Sequence, residues 1–201
     1  MVTKTIATML AVAAAAVLAV GASAPAPPAI GATQVTLYVP FTPNGLSIGL
    51  AVTRRVSGSC FAGSAASSGR SDAWRCSAGN AILDPCYQGV ESGKTVLACP
   101  DTPWSANVVL LTLTKDLPQK DANKDTAPKG LPWALELANG RRCELLTGAT
   151  FGVAGMRANY GCGDNAYVVG DPDRSLPVWR VFSLGPRGFA VTQIGVRVAW
   201  F

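Results

Sequence analysis

The sequence predicts an all-β fold, a small disulfide-stapled sandwich or barrel preceded by a signal-peptide helix. After the first thirty residues, apolar residues alternate with polar or small ones at a period of two in most segments, which is typical of half-buried strands. Gly, Pro, Asn and Asp fill the connections, as in folds made of many short strands. Six cysteines, an even number, complete the pattern of an exported, crosslinked domain.

The first 22 residues are predicted to be a secretory signal peptide. Lys4 precedes an apolar run over residues 6–20, and small residues follow at the spacing of a signal-peptidase site. Cleavage is expected after Ala22. A cut after Ala24 is the alternative, although it would place Pro25 directly behind the bond. An uncleaved anchor is disfavoured because about 15 apolar residues fall short of the roughly 20 that span a bilayer.

The rest of the chain is expected to be a short spacer and one domain. Residues 23–32 are rich in Ala and Pro and predict an extended spacer, and residues 33–201 follow as a single disulfide-bonded β domain. Segment 116–130 is polar, charged and interrupted by prolines. It could link two half-domains, but a loop within one domain is preferred, because neither half alone shows enough strands for a stable core.

The cysteines are expected to form structural disulfides. A metal site is disfavoured because the chain has neither a CxxC pair nor any histidine. Sequence alone does not choose among the 15 connectivities. Sequential pairing is preferred, because each bridge then closes a loop of under 20 residues, worth about 3 kcal/mol in the chain-entropy model. The expected pairs are Cys60 with Cys76, Cys86 with Cys99, and Cys143 with Cys162.

Alternation places the strands in order along the chain. Residues 35–39 and 46–52 alternate on either side of the turn PFTPNG and predict a hairpin. Residues 107–114 are apolar enough at their start to be buried on both faces. Residues 133–137 run into Asn-Gly, the strongest short hairpin signal, with a return strand on the far side. Further strands are expected at 166–169, 178–183 and 194–200.

Charge and composition exclude some partners. The chain is mildly basic, and its charges are scattered; the densest spots are Arg54-Arg55 and Arg141-Arg142. A nucleic-acid binder would show a basic stripe with interleaved aromatics, which is missing here. No later segment is apolar and long enough for a helix to span a membrane after signal cleavage. Anionic envelope polymers stay compatible with this weak positive charge.

No catalytic constellation stands out. Without histidine, Ser-His and Cys-His nucleophiles are excluded. A glycan hydrolase would need two carboxyls in one pocket. With a two-residue loop at Asn139-Gly140, Glu136 pairs with Cys143, which places Glu136 and Glu144 on opposite faces. A shift of register would bring the two together.

The aspartates are expected to stabilise turns, since they occur in turn contexts where their side chains bond nearby amides. Residues 170–175 offer oxygen ligands for calcium, but the adjacent Arg174 and the ordinary turn at Pro172 disfavour that reading. The sequence therefore predicts neither a metal nor a cofactor.

Aromatic and basic residues supply the candidate binding positions. The five tryptophans are expected mainly to pack over bridges and in the core. Trp104, in the loop PDTPW, is the best candidate for a binding platform. Arg141 and Arg142, beside the predicted hairpin turn, are further candidates for contact with a partner.

A set of short motifs resembles a group of exported bacterial proteins of unknown function with a six-cysteine domain rich in Trp and Pro. The motifs are GSC, DAWRC, DPC, CPDTPW, PWALELANGRRC and DRSLPVW, in that order over most of the mature chain. The resemblance implies secretion and a disulfide-bonded domain. It implies no activity, substrate or catalytic residue.

The preferred functional hypothesis is a secreted, non-enzymatic binding or interaction protein of the bacterial cell envelope. Its partner would be an envelope polymer or another exported protein. Two alternatives stay open: a secreted glycan hydrolase with paired carboxylates, and a protease inhibitor that presents a disulfide-braced loop. The inhibitor reading predicts an extended, exposed loop between Cys60 and Cys76.

Overall fold

The computed structural model describes residues 31–119, 130–186, 188 and 190–201, and every regular element in these ranges is a β-strand. The all-β prediction is therefore confirmed. The expected signal peptide and most of the expected spacer lie outside the described residues, as does most of segment 116–130. Within the described ranges no helix is long and apolar enough to cross a membrane.

Fifteen strands follow one another along the chain. Their bounds are β1 Gln34–Thr36, β2 Phe41–Thr42, β3 Gly45–Leu46, β4 Ala51–Gly63, β5 Ala73–Ala78, β6 Ala81–Glu91, β7 Lys94–Pro100, β8 Asn107–Leu113, β9 Ala134–Leu137, β10 Arg142–Leu145, β11 Gly152–Val153, β12 Met156–Gly161, β13 Tyr167–Asp173, β14 Arg180–Leu184 and β15 Val191–Trp200.

Strands β4 to β8 form the first barrel. Neighbours in the chain pair antiparallel, and a parallel pairing of β4 with β8 closes the ring. Its interior holds apolar side chains together with two disulfides. The β2–β3 hairpin covers one outer face, where Phe41 and Leu46 pack against Val96, Ala98 and Leu110. This explains why β8 is buried on both sides at its start, as its apolar run predicts.

Strands β9, β10 and β12 to β15 form the second barrel. The order is β15-β14-β13-β12-β10-β9, and β9 pairs back with β15 to close the ring. The short β11 pairs with β12, and β1 adds to β15 in parallel. Leu135, Leu137, Cys143, Tyr160 and Val168 are among the fully buried side chains of its core.

The three disulfides join the sequential pairs that loop length favours. They are Cys60–Cys76, Cys86–Cys99 and Cys143–Cys162. Cys60 and Cys76 are directly opposite each other on β4 and β5, and each of the other two bridges lies one position beyond the last paired residues of β6 with β7 and of β10 with β12. Two bridges crosslink the first barrel and one crosslinks the second, so each barrel is tied across its own strands.

The prediction of an N-terminal hairpin over 35–39 and 46–52 is wrong. Residues 34–36 instead pair with the last strand of the chain, and the hairpin is reduced to β2 and β3. The expected apolar face is also reversed: Val35, Leu37 and Val39 are exposed, whereas Tyr38 is buried. The cause is a partner more than 160 residues away in sequence, which local alternation cannot indicate.

The later strands lie where alternation predicts them, but the Asn-Gly hairpin has a different register. Leu135, not Glu136, pairs with Cys143, because the loop contains three residues, Ala138, Asn139 and Gly140. Gly140 adopts a positive φ of 82°, which suits the last position of such a loop. The expected separation of Glu136 and Glu144 onto opposite faces is therefore wrong, since both now lie on one face of the ribbon.

Each half of the chain closes a barrel, although the sequence shows too few strands in either half to predict this. Bulged strands such as β5 and β6 escape a search for clean alternation. The two barrels pack together through a shared buried cluster and several hydrogen bonds. Their organisation as one domain over 33–201 stays a prediction.

Candidate binding cleft between the two barrels

An aromatic seam lies where the two barrels meet. Tyr38, which follows β1, packs against Tyr87 of the first barrel and Trp133 of the second, with ring centroids 5.4 and 5.6 Å away. Ala66, Ala73 and Ala134 fill the gaps between these rings, and Trp104 and Trp200 lie at the margin. We call this group the seam. Small alanines allow the large rings to approach, and the seam forms a buried cluster of its own between the two barrel cores.

Arg70 lies at one end of the seam and ties the two barrels together. Its guanidinium lies over the Tyr87 ring, 4.7 Å from the centroid, and donates to the Tyr38 carbonyl at 2.5 Å. The same group donates to both carboxylate oxygens of Asp72, at 2.8 and 2.5 Å. Such a two-pronged pair fixes the orientation of both side chains.

A cleft of about 370 Å³ opens above this end of the seam. The first barrel contributes residues 67 and 69–72, and the second contributes Leu131 and Phe201, with Leu37 at the rim. Its lining mixes apolar side chains with hydroxyls and one ion pair. Because Asp72 neutralises Arg70, the cleft carries no net charge, which suits an uncharged ligand better than an anion.

Five of the six buried side-chain polar atoms without a hydrogen-bond partner among the described residues belong to the seam and the cleft floor. They are Tyr38 Oη, Ser67 Oγ, Tyr87 Oη, Trp133 Nε1 and Trp200 Nε1. Burial raises the pKa of Tyr38 to about 12 and also raises that of Tyr87. Ser67 lies near enough to Tyr87 to lower its pKa, but the two hydroxyls lack hydrogen-bond geometry.

Trp104 and Arg142, two of the sequence-predicted binding residues, meet at the margin of the seam. The Arg142 guanidinium lies 5.2 Å from the centre of the Trp104 ring. The Trp104 indole donates to one oxygen of Glu136, and Arg197 donates to the other. Trp104 is thus half-buried in a contact between barrels, and its platform role stays a prediction.

Arg141, the third predicted binding residue, lies directly before β10, beside the hairpin turn. Its backbone amide donates to the Asn139 side-chain oxygen at 3.1 Å. A binding role for Arg141 stays a prediction.

The carboxylates of the described residues differ in their burial and in their hydrogen-bond partners. Glu136 is buried and engaged by Trp104 and Arg197, whereas Glu144 is exposed. Partial burial, with the neighbouring Asp101, raises the pKa of Glu144. Asp173 accepts from the Ser175 amide in its own turn, which lowers its pKa, and Asp171 accepts from Asn159. No group of three or more carboxyl or thiol side chains in the described ranges is arranged to hold a metal ion.

The loop between Cys60 and Cys76 is compact. Ser64, Ala66 and Ser67 are buried, and Asp84 accepts from Ser64 and from the amides of Ala65 and Ala66. Ala65, Ser68, Gly69 and Ser71 of the same loop are exposed, and the inhibitor reading stays a prediction. The loop also supplies the first-barrel wall of the cleft.

Sequence reasoning missed Arg70 and the residues around it. The string SSGRSDAW does carry a signal, because Arg and Asp two positions apart in a turn can pair. The contact of Arg70 with Tyr38 has no local signal, since it joins positions 32 residues apart.

Comparison with protein-family models finds no match, and neither curated proteins nor solved structures yield a similar chain. The resemblance to exported bacterial proteins therefore stays a prediction, and the functional argument rests on the geometry of the cleft.

Proposed function

We propose that this protein is a secreted, non-enzymatic binding protein of the bacterial cell envelope, which holds an uncharged unit of an envelope polymer in the cleft between its barrels. The observation that carries the proposal is the cleft itself. Residues of both barrels line it, and the charges of Arg70 and Asp72, which form an ion pair among the described lining residues, cancel each other.

Export is the first support for this proposal. Three buried disulfides fit an oxidising compartment outside the cytoplasm, since cytosolic thiols are kept reduced. The N-terminal sequence adds the pattern of a signal peptide. Secretion, or retention at the envelope, is the localisation that these features favour.

The engagement of the carboxylates is the second support. A paired-carboxylate hydrolase uses both carboxyls, one as acid and the other as base or nucleophile, so neither can be engaged elsewhere. Glu136 shares a face with Glu144, but both of its oxygens already accept hydrogen bonds from Trp104 and Arg197. Binding without catalysis is therefore the better-supported function, and the hydrolase is the weaker candidate.

The test is cosedimentation of the purified protein with insoluble cell-wall polymer from a Gram-positive and a Gram-negative bacterium. Leu37 lies at the cleft rim and is 57% exposed, so Leu37→Glu should fold normally. A charge placed at the rim of an uncharged cleft is expected to weaken binding about tenfold, which corresponds to about 1.4 kcal/mol.

Ile82→Glu is the matched control. Ile82 on β6 is 53% exposed, close to the value for Leu37, but it does not line the cleft. The control should bind like the wild type. If Leu37→Glu also binds like the wild type, or if the wild type sediments with neither polymer, the proposed function is wrong.

A further inference from the structure

The seam contains a concentration of buried polar atoms that internal packing does not explain. Tyr38, Tyr87, Trp133 and Trp200 each bury an O–H or N–H group without a partner among the described residues, and Ser67 does so at the cleft floor. Elsewhere in the described chain only Arg75 Nε shares this condition. Buried polar groups in native proteins are nearly always paired, so a cluster of this kind requires a cause.

All five groups are uncharged hydrogen-bonding groups. Two phenols and one alcohol can each donate and accept, and two indoles donate. None of them is ionised near neutral pH, and burial moves the pKa of both tyrosines still further above it. The set therefore matches a ligand that is uncharged and rich in hydroxyl groups.

The same residues bring three aromatic rings together, which are buried against one another in this structure. The rings of Tyr38, Tyr87 and Trp133 lie 5.4 to 6.3 Å apart at tilted or edge-on angles. A saccharide has apolar C–H faces that pack on aromatic rings and hydroxyls that bond to phenols and indoles. Few other ligands combine both requirements without bringing charge.

We propose that the seam is a closed saccharide-binding site, which widens at the Ser67 floor of the cleft and pairs its buried hydroxyl and indole groups with sugar hydroxyls. The inference rests on the proposed function and names its ligand class. When the seam is closed, these atoms lose their hydration without gaining hydrogen-bond partners, and this desolvation penalty opposes closure. A bound sugar supplies the missing partners and so removes the penalty.

The experiment separates a binding role from a packing role by isosteric removal of single hydroxyls. Tyr38→Phe and Tyr87→Phe keep the ring and delete an unpartnered oxygen. Tyr160→Phe is the matched control, because Tyr160 is also fully buried but donates to the Pro132 carbonyl at 2.8 Å. Each variant is studied by thermal unfolding and by calorimetric titration with chitohexaose, cellohexaose and maltohexaose.

The expected result is a pair of opposite effects. Tyr38→Phe and Tyr87→Phe should unfold at the wild-type temperature or higher, since no hydrogen bond is lost, and should bind the preferred oligosaccharide about fivefold more weakly. Tyr160→Phe should unfold at a lower temperature and bind like the wild type.

Three outcomes would overturn the inference. Wild-type affinity in both Tyr38→Phe and Tyr87→Phe would show that the seam does not contact the sugar. Unfolding temperatures lowered as much as in Tyr160→Phe would show that buried water already pairs these hydroxyls. Failure of the wild type to bind any of the three oligosaccharides would exclude the saccharide class, while cosedimentation sensitive to Leu37→Glu would leave the proposed function standing with another ligand.

Discussion

Asp84 shows how one buried carboxylate positions the wall of the cleft. It accepts from the Ser64 hydroxyl at 2.5 Å and from the amides of Ala65 and Ala66, and Arg75 lies 3.8 Å away. Burial raises the pKa of Asp84, and the hydrogen bonds from Ser64, Ala66 and Ala65, together with the charge of Arg75, only partly offset that effect. The sequence context of Asp84 predicts that it stabilises its own turn. Its side chain instead holds the loop at Ser64, 20 positions earlier in the chain.

Asp84→Ala should destabilise the protein in a pH-dependent manner. The folded pKa is raised, so the protonated form is favoured on folding, and this contribution is fully present below the unfolded pKa of about 3.9. It is lost as the pH rises through the folded value. Denaturant unfolding of wild type and variant should therefore differ most in acid, by about 2 kcal/mol, and less at neutral pH. A difference that grows as the pH rises would contradict this assignment.

At the residue scale, features set by residue count and short spacing could be predicted from the sequence. Contacts between residues far apart in the chain could not. The pairing of the cysteines followed from short loops and an even count. The ion pair of Arg70 with Asp72 was within reach of a local reading, but its position beneath the cleft depends on Tyr38 and Phe201.

Strand β4 shows how one glycine closes the first barrel. The strand pairs with β8 up to Gly58 and with β5 from Ser59 onward, so its neighbour changes at that point. A Cβ at Gly58 would lie 2.1 Å from the Ser77 carbonyl oxygen, which is backbone and cannot rotate away. Glycine therefore permits the close approach of β4 and β5 that the closed ring needs.

Gly58→Ala should lower the free energy of unfolding by about 3 kcal/mol, because the strands must separate to accept the methyl group. Gly148→Ala is the control, since nothing lies within 4 Å of its added Cβ and its φ is not positive. Chemical denaturation of both variants measures the difference. Equal stability of the two would show that the approach of β4 to β5 is not tight.

Strand positions were easier to predict than strand partners. Alternation located β8, β9, β13, β14 and β15, because each has a clear apolar pattern. The partner of β1 was missed because it is the last strand, and the register at residues 138–140 was missed because Asn-Gly also suits the end of a three-residue loop. That single register decides which face carries Glu136.

At the scale of the whole molecule, two crosslinked barrels hold a polar aromatic seam between them. Each barrel has its own core and its own bridges, and the seam is a separate buried cluster between them. This arrangement allows the seam and cleft to retain unpaired polar groups for a ligand. Ligand sites are commonly found at such junctions between rigid units.

The two-barrel arrangement itself could not be predicted from the sequence. The many turns and short strands favoured a sandwich or barrel, but closure depends on the pairings of β4 with β8 and of β9 with β15. Both pairings join strands distant in the chain, and neither has a motif. The cleft could not be foreseen either, because it exists only once the barrels are packed together.

The most direct test of this account is a map of backbone amide chemical shifts during titration of the isotopically labelled protein with the best-binding oligosaccharide. We expect the largest shifts at residues 67–72 from the first barrel and at Leu131 and Phe201 from the second, with smaller shifts at Tyr38, Tyr87 and Trp133. Shifts confined to one barrel, or centred on a surface away from the cleft, would contradict the claim that the ligand binds between the two.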